Sequence, residues 1–102
     1  MKVTYKEWNC LAIGHKYDEG KSRAIELVDQ DDYECIAMAT VNMPGETIPD
    51  DCVFAPEYKT PGLTYALINA GIIHNGVQGM VKAGFVNLQS YKLTKEALEN
   101  LW

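Results

Sequence analysis

The stretch from Ala24 to Met43 constrains the fold more than any other part of the chain. In AIELVD, Ile25 and Leu27 fall on one side of an extended chain and Glu26 and Val28 on the other. After the polar run QDDYE, Cys35, Ala37, Ala39 and Val41 alternate with Ile36, Met38, Thr40 and Asn42, so both faces are largely apolar. Alternation with a period of two is the mark of a strand, and a strand apolar on both faces belongs inside a sheet. The pattern therefore predicts a hairpin of strands 24–29 and 35–43. It excludes an all-helical fold.

The rest of the chain predicts elements to complete that sheet. Val3, Tyr5, Trp8, Leu11 and Ile13 show no sustained helical stripe, and their types favour one or two strands ending near His15. KYDEGKS is a loop with Gly20 supplying the turn, and Pro44, Gly45 and Pro49 break the chain into another. Cys52-Val53-Phe54 is a short apolar segment. Thr60-Pro61 is a helix-start arrangement, followed by Leu63, Ala66, Leu67 and Ala70 at helical spacing and by Gly71 at the left-handed cap position. IIHNGVQG reads as a turn region, with Asn75-Gly76 favouring positive φ. One strand is predicted over 80–91, with Gly84 marking a bulge or a close approach. Thr94 caps a short terminal helix, Leu93 can staple onto Leu98, and Leu101 and Trp102 can anchor it. The expected fold is a single α+β domain over 1–102. It has a mainly antiparallel sheet of four to six strands, with one central helix and a short C-terminal helix packed on one face.

Composition limits the functions open to such a domain. The 102 residues are 47% hydrophobic and 23% charged, a globular balance. The formal net charge is -5, which disfavours direct binding of nucleic acid, since phosphate contacts need clustered Lys and Arg. No apolar run approaches the length of a membrane span or a signal peptide, so a cytoplasmic protein without a membrane partner is expected. The three cysteines Cys10, Cys35 and Cys52 are odd in number and widely spaced, which reads as reduced thiols.

No motif carries a chemistry. His15, His74 and the cysteines lack the short ligand spacings of a zinc site. Asp29, Asp31, Asp32 and Glu34 suggest a calcium loop, but the sixth position is Glu34 where such a loop needs glycine. The glycines Gly71, Gly76, Gly79 and Gly84 match no phosphate-binding pattern. No cofactor and no catalytic residue is assigned.

Charge pattern stands above this background. Glu26, Asp29, Asp31, Asp32 and Glu34 form one acidic run, and Glu46, Asp50, Asp51 and Glu57 a second. Lys82, Lys92 and Lys95 lie in a segment with no acid until Glu96. Two acidic runs can keep a small protein soluble, or can dock on a basic groove as a mimic of nucleic-acid phosphate would. Tyr17, Tyr33, Tyr58 and Tyr65 can add interface anchors.

Four stretches carry a resemblance. Ala24 to Asp29, Ala39 to Pro44, Asp51 to Phe54 and Gly84 to Val86 resemble a family of bacterial proteins of about the same length and of unknown function, carried by phages and conjugative elements of gut bacteria. Ala83-Gly84-Phe85 stands where that family has an SGF-like segment. The resemblance implies a mobile-element cargo protein, and by analogy an inhibitor of host defence of the anti-CRISPR or anti-restriction type. It implies no catalytic residue.

The expectation is a non-enzymatic accessory protein that binds a basic surface of a host or element-encoded protein through the nine acids named above. Two alternatives remain: a small-ligand or enzymatic pocket using His74, Asn75 and a cysteine, and a homodimer or larger homo-oligomer built through an exposed strand edge.

Overall fold

A computed structural model describes residues 1–17, 23–43, 46 and 48–102. The loop with Gly20 and the break at Pro44 and Gly45 lie within or across residues outside that range. The N-terminal half forms four antiparallel strands: β1 (Lys2–Tyr5), β2 (Trp8–Lys16), β3 (Arg23–Asp29) and β4 (Cys35–Met38), in the order β1-β2-β3-β4. β1 buries Val3 and Tyr5 and exposes Lys2 and Thr4, the alternation of a half-buried strand. Inside the sheet β3 is buried on both faces, through Ala24, Ile25, Leu27 and Val28. The predicted hairpin is present as β3–β4, but β4, expected inside the sheet because both its faces are apolar, is the edge strand, with Cys35 and Met38 exposed.

The remaining strands depart from the expected single sheet. β5 (Cys52–Ala55), β6 (Ile73–Ala83) and β7 (Val86–Leu93) form a second antiparallel sheet in the order β5-β7-β6. The described residues thus hold seven strands in two sheets. Two local features hid this. The strand expected over 35–43 ends at Met38, and Val41 instead bridges to Phe54 of the second sheet. IIHNGVQG is not a turn but the first half of β6, and the predicted 80–91 strand is two strands with the hairpin turn at Gly84-Phe85. β6 takes up its extra residues in register shifts between Ile73 and Val77 and between Val77 and Gly79, which erase the alternation. Gly84, at φ 65, supplies the turn that Asn75-Gly76 was expected to make.

Two short helices close the core between the sheets. α1 (Leu63–Asn69) lies against β1 and β6, and α2 (Lys95–Leu101) against β2. Leu63, Ala66 and Leu67 of α1 join Ile25 and Leu27 of the first sheet, Val53, Ile73, Tyr91 and Leu93 of the second, and Ala97 of α2 in one continuous apolar cluster.

The helix ends follow the sequence reading with one correction. Gly71 takes the left-handed conformation at φ 75, and the Ile72 and Gly71 amides donate to the carbonyls of Leu67 and Ile68, both at 3.0 Å. Thr94 caps α2 by accepting the Ala97 amide at 3.1 Å, and its hydroxyl donates to the Gly71 carbonyl at 2.6 Å, so one side chain ties both helix ends. Trp102 docks by donating Nε1–H to the His15 carbonyl at 2.8 Å, under the Arg23 guanidinium. Gly14 leaves room for this, since a Cβ there would meet the Leu101 carbonyl and stand 2.9 Å from the Trp102 ring.

Thr60 does not cap α1. Its hydroxyl donates to the Pro56 carbonyl at 3.1 Å, and the helix begins at Leu63 after Gly62. The Glu57 carboxylate takes the capping role, accepting the Gly62 amide at 2.7 Å and the Thr64 amide at 3.4 Å. Replacing Glu57 with Ala is expected to cost about 0.5–2 kcal/mol, the usual loss on deleting a helix cap. The midpoint of urea unfolding measures this, and an unchanged midpoint contradicts the assignment.

Candidate functional site

The first acidic run is a folded turn rather than a loose loop. The Asp29 amide donates to the Glu34 carbonyl at 2.8 Å and closes the hairpin, while the Tyr33 amide donates to the Asp29 carbonyl at 2.9 Å. Two carboxylates hold the chain between these bonds. Asp29 Oδ1 accepts the Asp31 amide at 2.8 Å, and Asp32 Oδ1 accepts the Glu34 amide at 2.9 Å. Such side-chain bonds two residues along are the turn-forming habit of aspartate. They leave Asp31, Glu34 and Tyr33 exposed at the turn.

Tyr33 is the unusual residue there. It sits at φ 60, in the left-handed region where a side chain costs roughly 1–2 kcal/mol. Two thirds of its surface is exposed (66%), so no burial repays that cost within the chain.

Glu26 stands further back on β3, facing its neighbours on both sides. Its carboxylate meets His15 Nε2 on β2 at 3.0 Å and accepts the Cys35 thiol of β4. The hydrogen bonds from His15 and then Cys35 hold the Glu26 carboxyl below its ordinary range. The same contact pushes the exposed Cys35 thiol up, because its thiolate would face a carboxylate. Burial first, then Asp29, raises Cys10, and burial first, then Asp51, raises Cys52. All three thiols are free, and each is biased toward the protonated, poorly nucleophilic form.

The second acidic run is dispersed into structural contacts. Asp50 Oδ2 pairs with Arg23 Nη2 at 3.0 Å, and its carbonyl accepts Arg23 Nε–H at the same distance. Asp51 faces Lys92 at 3.7 Å, Glu57 caps α1, and Glu46 is exposed. Arg23 and Asp29 are the two ends of β3, so Asp50 and the turn are separated by about 20 Å along that strand. The structure therefore gathers Asp29, Asp31, Asp32 and Glu34 at one turn. Asp50 lies at the far end of β3, and Asp51 and Glu57 flank β5 in the other sheet.

Along β4 lies a feature that sequence reasoning missed. β4 is an edge strand, and a groove of about 280 Å³ runs along it, lined by Ile36, Ala37, Met38 and Val41 and, opposite, by Pro56 and Lys59. The one available signal was Pro56. It directly follows β5, has no N–H to donate, and ends the pairing that the Val41–Phe54 bridge begins. A second groove of about 300 Å³ lies on the outer face of the second sheet, between Pro49, Phe54 and Met80. His74 and Asn75 line neither groove; they are exposed on β6.

Among the described residues, no group of three or more His, Cys, Asp and Glu side chains is placed to hold a metal ion. No described helix is long and apolar enough to cross a membrane. Compared with known protein families, curated proteins and solved structures, the chain matches none.

The Glu26 contacts set a pH dependence. A carboxyl whose folded pKa is depressed contributes stability that is fully present above its unfolded pKa and lost as pH falls through the folded value. Glu26→Gln is expected to remove that increment of acid sensitivity, flattening unfolding midpoints measured from neutral pH downward. It is also expected to speed alkylation of Cys35 at mildly alkaline pH by lowering the thiol's pKa. Unchanged alkylation in the variant contradicts the Glu26–Cys35 contact.

Proposed function

We propose that this chain is a non-enzymatic protein-binding domain that docks on a basic surface of a host or element-encoded protein through the β3–β4 turn. The observation that carries the reading is Tyr33. Gly and Asn are the usual residues at a left-handed turn position; among the described residues Lys6, at φ 54 between β1 and β2, and Tyr33 are the two others that hold one, and of these only Tyr33 is aromatic. Here an exposed aromatic is held there, among Asp31, Asp32 and Glu34, by the carboxylates of Asp29 and Asp32. Fixing an aromatic anchor before contact lowers the entropy cost of binding, and a ring of carboxylates around it selects a cationic partner.

The division of labour among the acids sharpens the earlier expectation. Asp29, Asp32, Asp50 and Glu57 each accept a hydrogen bond within the fold. Asp31 and Glu34, with Tyr33, are the residues most available to a partner. The thiols, raised by burial or by carboxylates, suit a binding role better than a nucleophilic one. Within this proposal the setting is that of the resembling family: a phage or mobile-element protein acting in the cytoplasm as a counter-defence inhibitor, with no direct contact to nucleic acid.

Tagged protein retained on host lysate at low and high salt tests the reading. The partner is expected to be captured at low salt and released as the exposed charges are screened. The double variant Asp31→Lys with Glu34→Lys is expected to lose it even at low salt. Tyr33→Gly is expected to weaken capture while raising stability by up to about 1 kcal/mol, since glycine removes the left-handed penalty. Capture unchanged in both variants overturns the proposal.

A further inference from the structure

We infer that β6 pairs along its open edge with β6 of a second copy of this chain, antiparallel, about a two-fold axis at Val81. The inference does not depend on the reading of the acidic turn and goes beyond it. Three observations carry it.

The first is an open and regular ladder. The Leu93 amide donates to the Asp51 carbonyl at 2.7 Å, toward the β5 side, and the next amide, that of Thr94, donates the other way, to the Ile72 carbonyl at 2.9 Å. By the same alternation Ser90, Leu88 and Val86 turn their backbone groups toward β6. Their register partners Gly79, Val81 and Ala83 therefore bond back to β7, with no register shift from Gly79 to Ala83. Met80 and Lys82, lying between them, point amide and carbonyl outward. β6 is an edge strand, and no described strand lies beyond it.

The second is exposed apolar surface gathered on the same hairpin. Phe85 at its tip is fully exposed (106%), and Met80 and Val77 on β6 are 55% and 47% exposed. Edge strands are usually kept apart by being short, or by prolines and charges. β6 is eleven residues long, with no proline, no acid and Lys82 as its one lysine or arginine.

The third is self-complementarity. In a two-fold pair each contact occurs twice, so one register has to suit both copies. An axis at Lys82 sets like charges directly opposite, which is unfavourable. An axis at Met80 pairs Lys82 with Gln78, inside the register shift between Val77 and Gly79. An axis at Val81 keeps the whole ladder within 79–83. It bonds Met80 of each copy to Lys82 of the other and sets the two Val81 side chains against each other. The Lys82 stem then lies along Met80 while its ammonium stays in water. The same register brings Phe85 of each copy beside Val77 of the other. A basic partner has no acid to meet on this strand, whereas a second copy covers its apolar side chains with their own kind.

Sedimentation equilibrium of the full chain from about 1 μM to about 1 mM, the range in which short interfaces associate, tests the pairing. The average mass is expected to rise from that of the monomer toward twice that value. Met80→Lys sets a second lysine against Lys82 at two symmetric places and is expected to raise the dissociation constant about tenfold or more, whereas Met80→Glu sets a carboxylate there and is expected to leave it unchanged or lower it. Amide exchange of the unaltered protein reads the same ladder without a variant. Met80 and Lys82 are expected to exchange more slowly as concentration rises, and Val81, bonded within its own hairpin, to be slow throughout. A monomer's mass at every concentration, a dimer whose Met80 and Lys82 amides stay fast, or equal weakening by the two Met80 variants overturns the inference.

Discussion

The two-sheet arrangement depends on Thr40. Its buried hydroxyl accepts the Ile25 amide at 3.1 Å and lies 3.3 Å from the Tyr17 hydroxyl. A side chain thus takes a ladder bond that the β4 backbone would otherwise have made to β3. With Ile25 satisfied, the chain can leave the first sheet, and one residue later the Val41 amide donates to the Phe54 carbonyl of the second. An unsatisfied buried amide costs roughly 1–3 kcal/mol, so the crossing is stable because Thr40 occupies that position. It ends β4 early, leaves its edge free and brings β5 alongside before Pro56 turns away. The groove beside β4 is a by-product of where one hydroxyl allows the chain to change sheets.

The candidate site joins two kinds of acid. Carboxylates that accept backbone amides, as Asp29 and Asp32 do, are part of the fold. Asp31 and Glu34 are carried on that framework, together with Tyr33. Rigid support below and unused charge above is the arrangement expected of a recognition element, since a backbone that is already ordered loses little entropy on contact. The second acidic run lacks this division. Asp50 holds Arg23, which in turn lies over Trp102, so this acid helps to fasten the C-terminal helix.

Legibility in the sequence followed how local each signal was. The β3–β4 hairpin, the Gly71 cap and the Thr94 cap were readable because each rests on a few neighbouring residues whose types have one dominant use. The second sheet was not readable. β6 hides its alternation in register shifts around Val77, and Asn75-Gly76 mimics a turn that Gly84 makes instead. Thr60 before Pro61 predicts the cap of α1, yet Glu57 reaches the helix amides from five residues before Gly62. The acidic runs were visible, but their separation was not, because only the length of β3 shows that Asp50 and Asp31 lie at opposite ends. Tyr33 carries no sequence mark of its left-handed backbone, and the groove beside β4 exists only once two sheets diverge.

The account ends β4 early as an edge strand whose outer side is open among the described residues. Amide hydrogen exchange along β4 in the unbound protein tests this most directly, because protection follows hydrogen bonding residue by residue. The account predicts slow exchange for Ala39, bonded to Ile25, and fast exchange for Met38. Slow exchange at Met38 matching that of Ala39 would mean that the edge is already covered, and would contradict it.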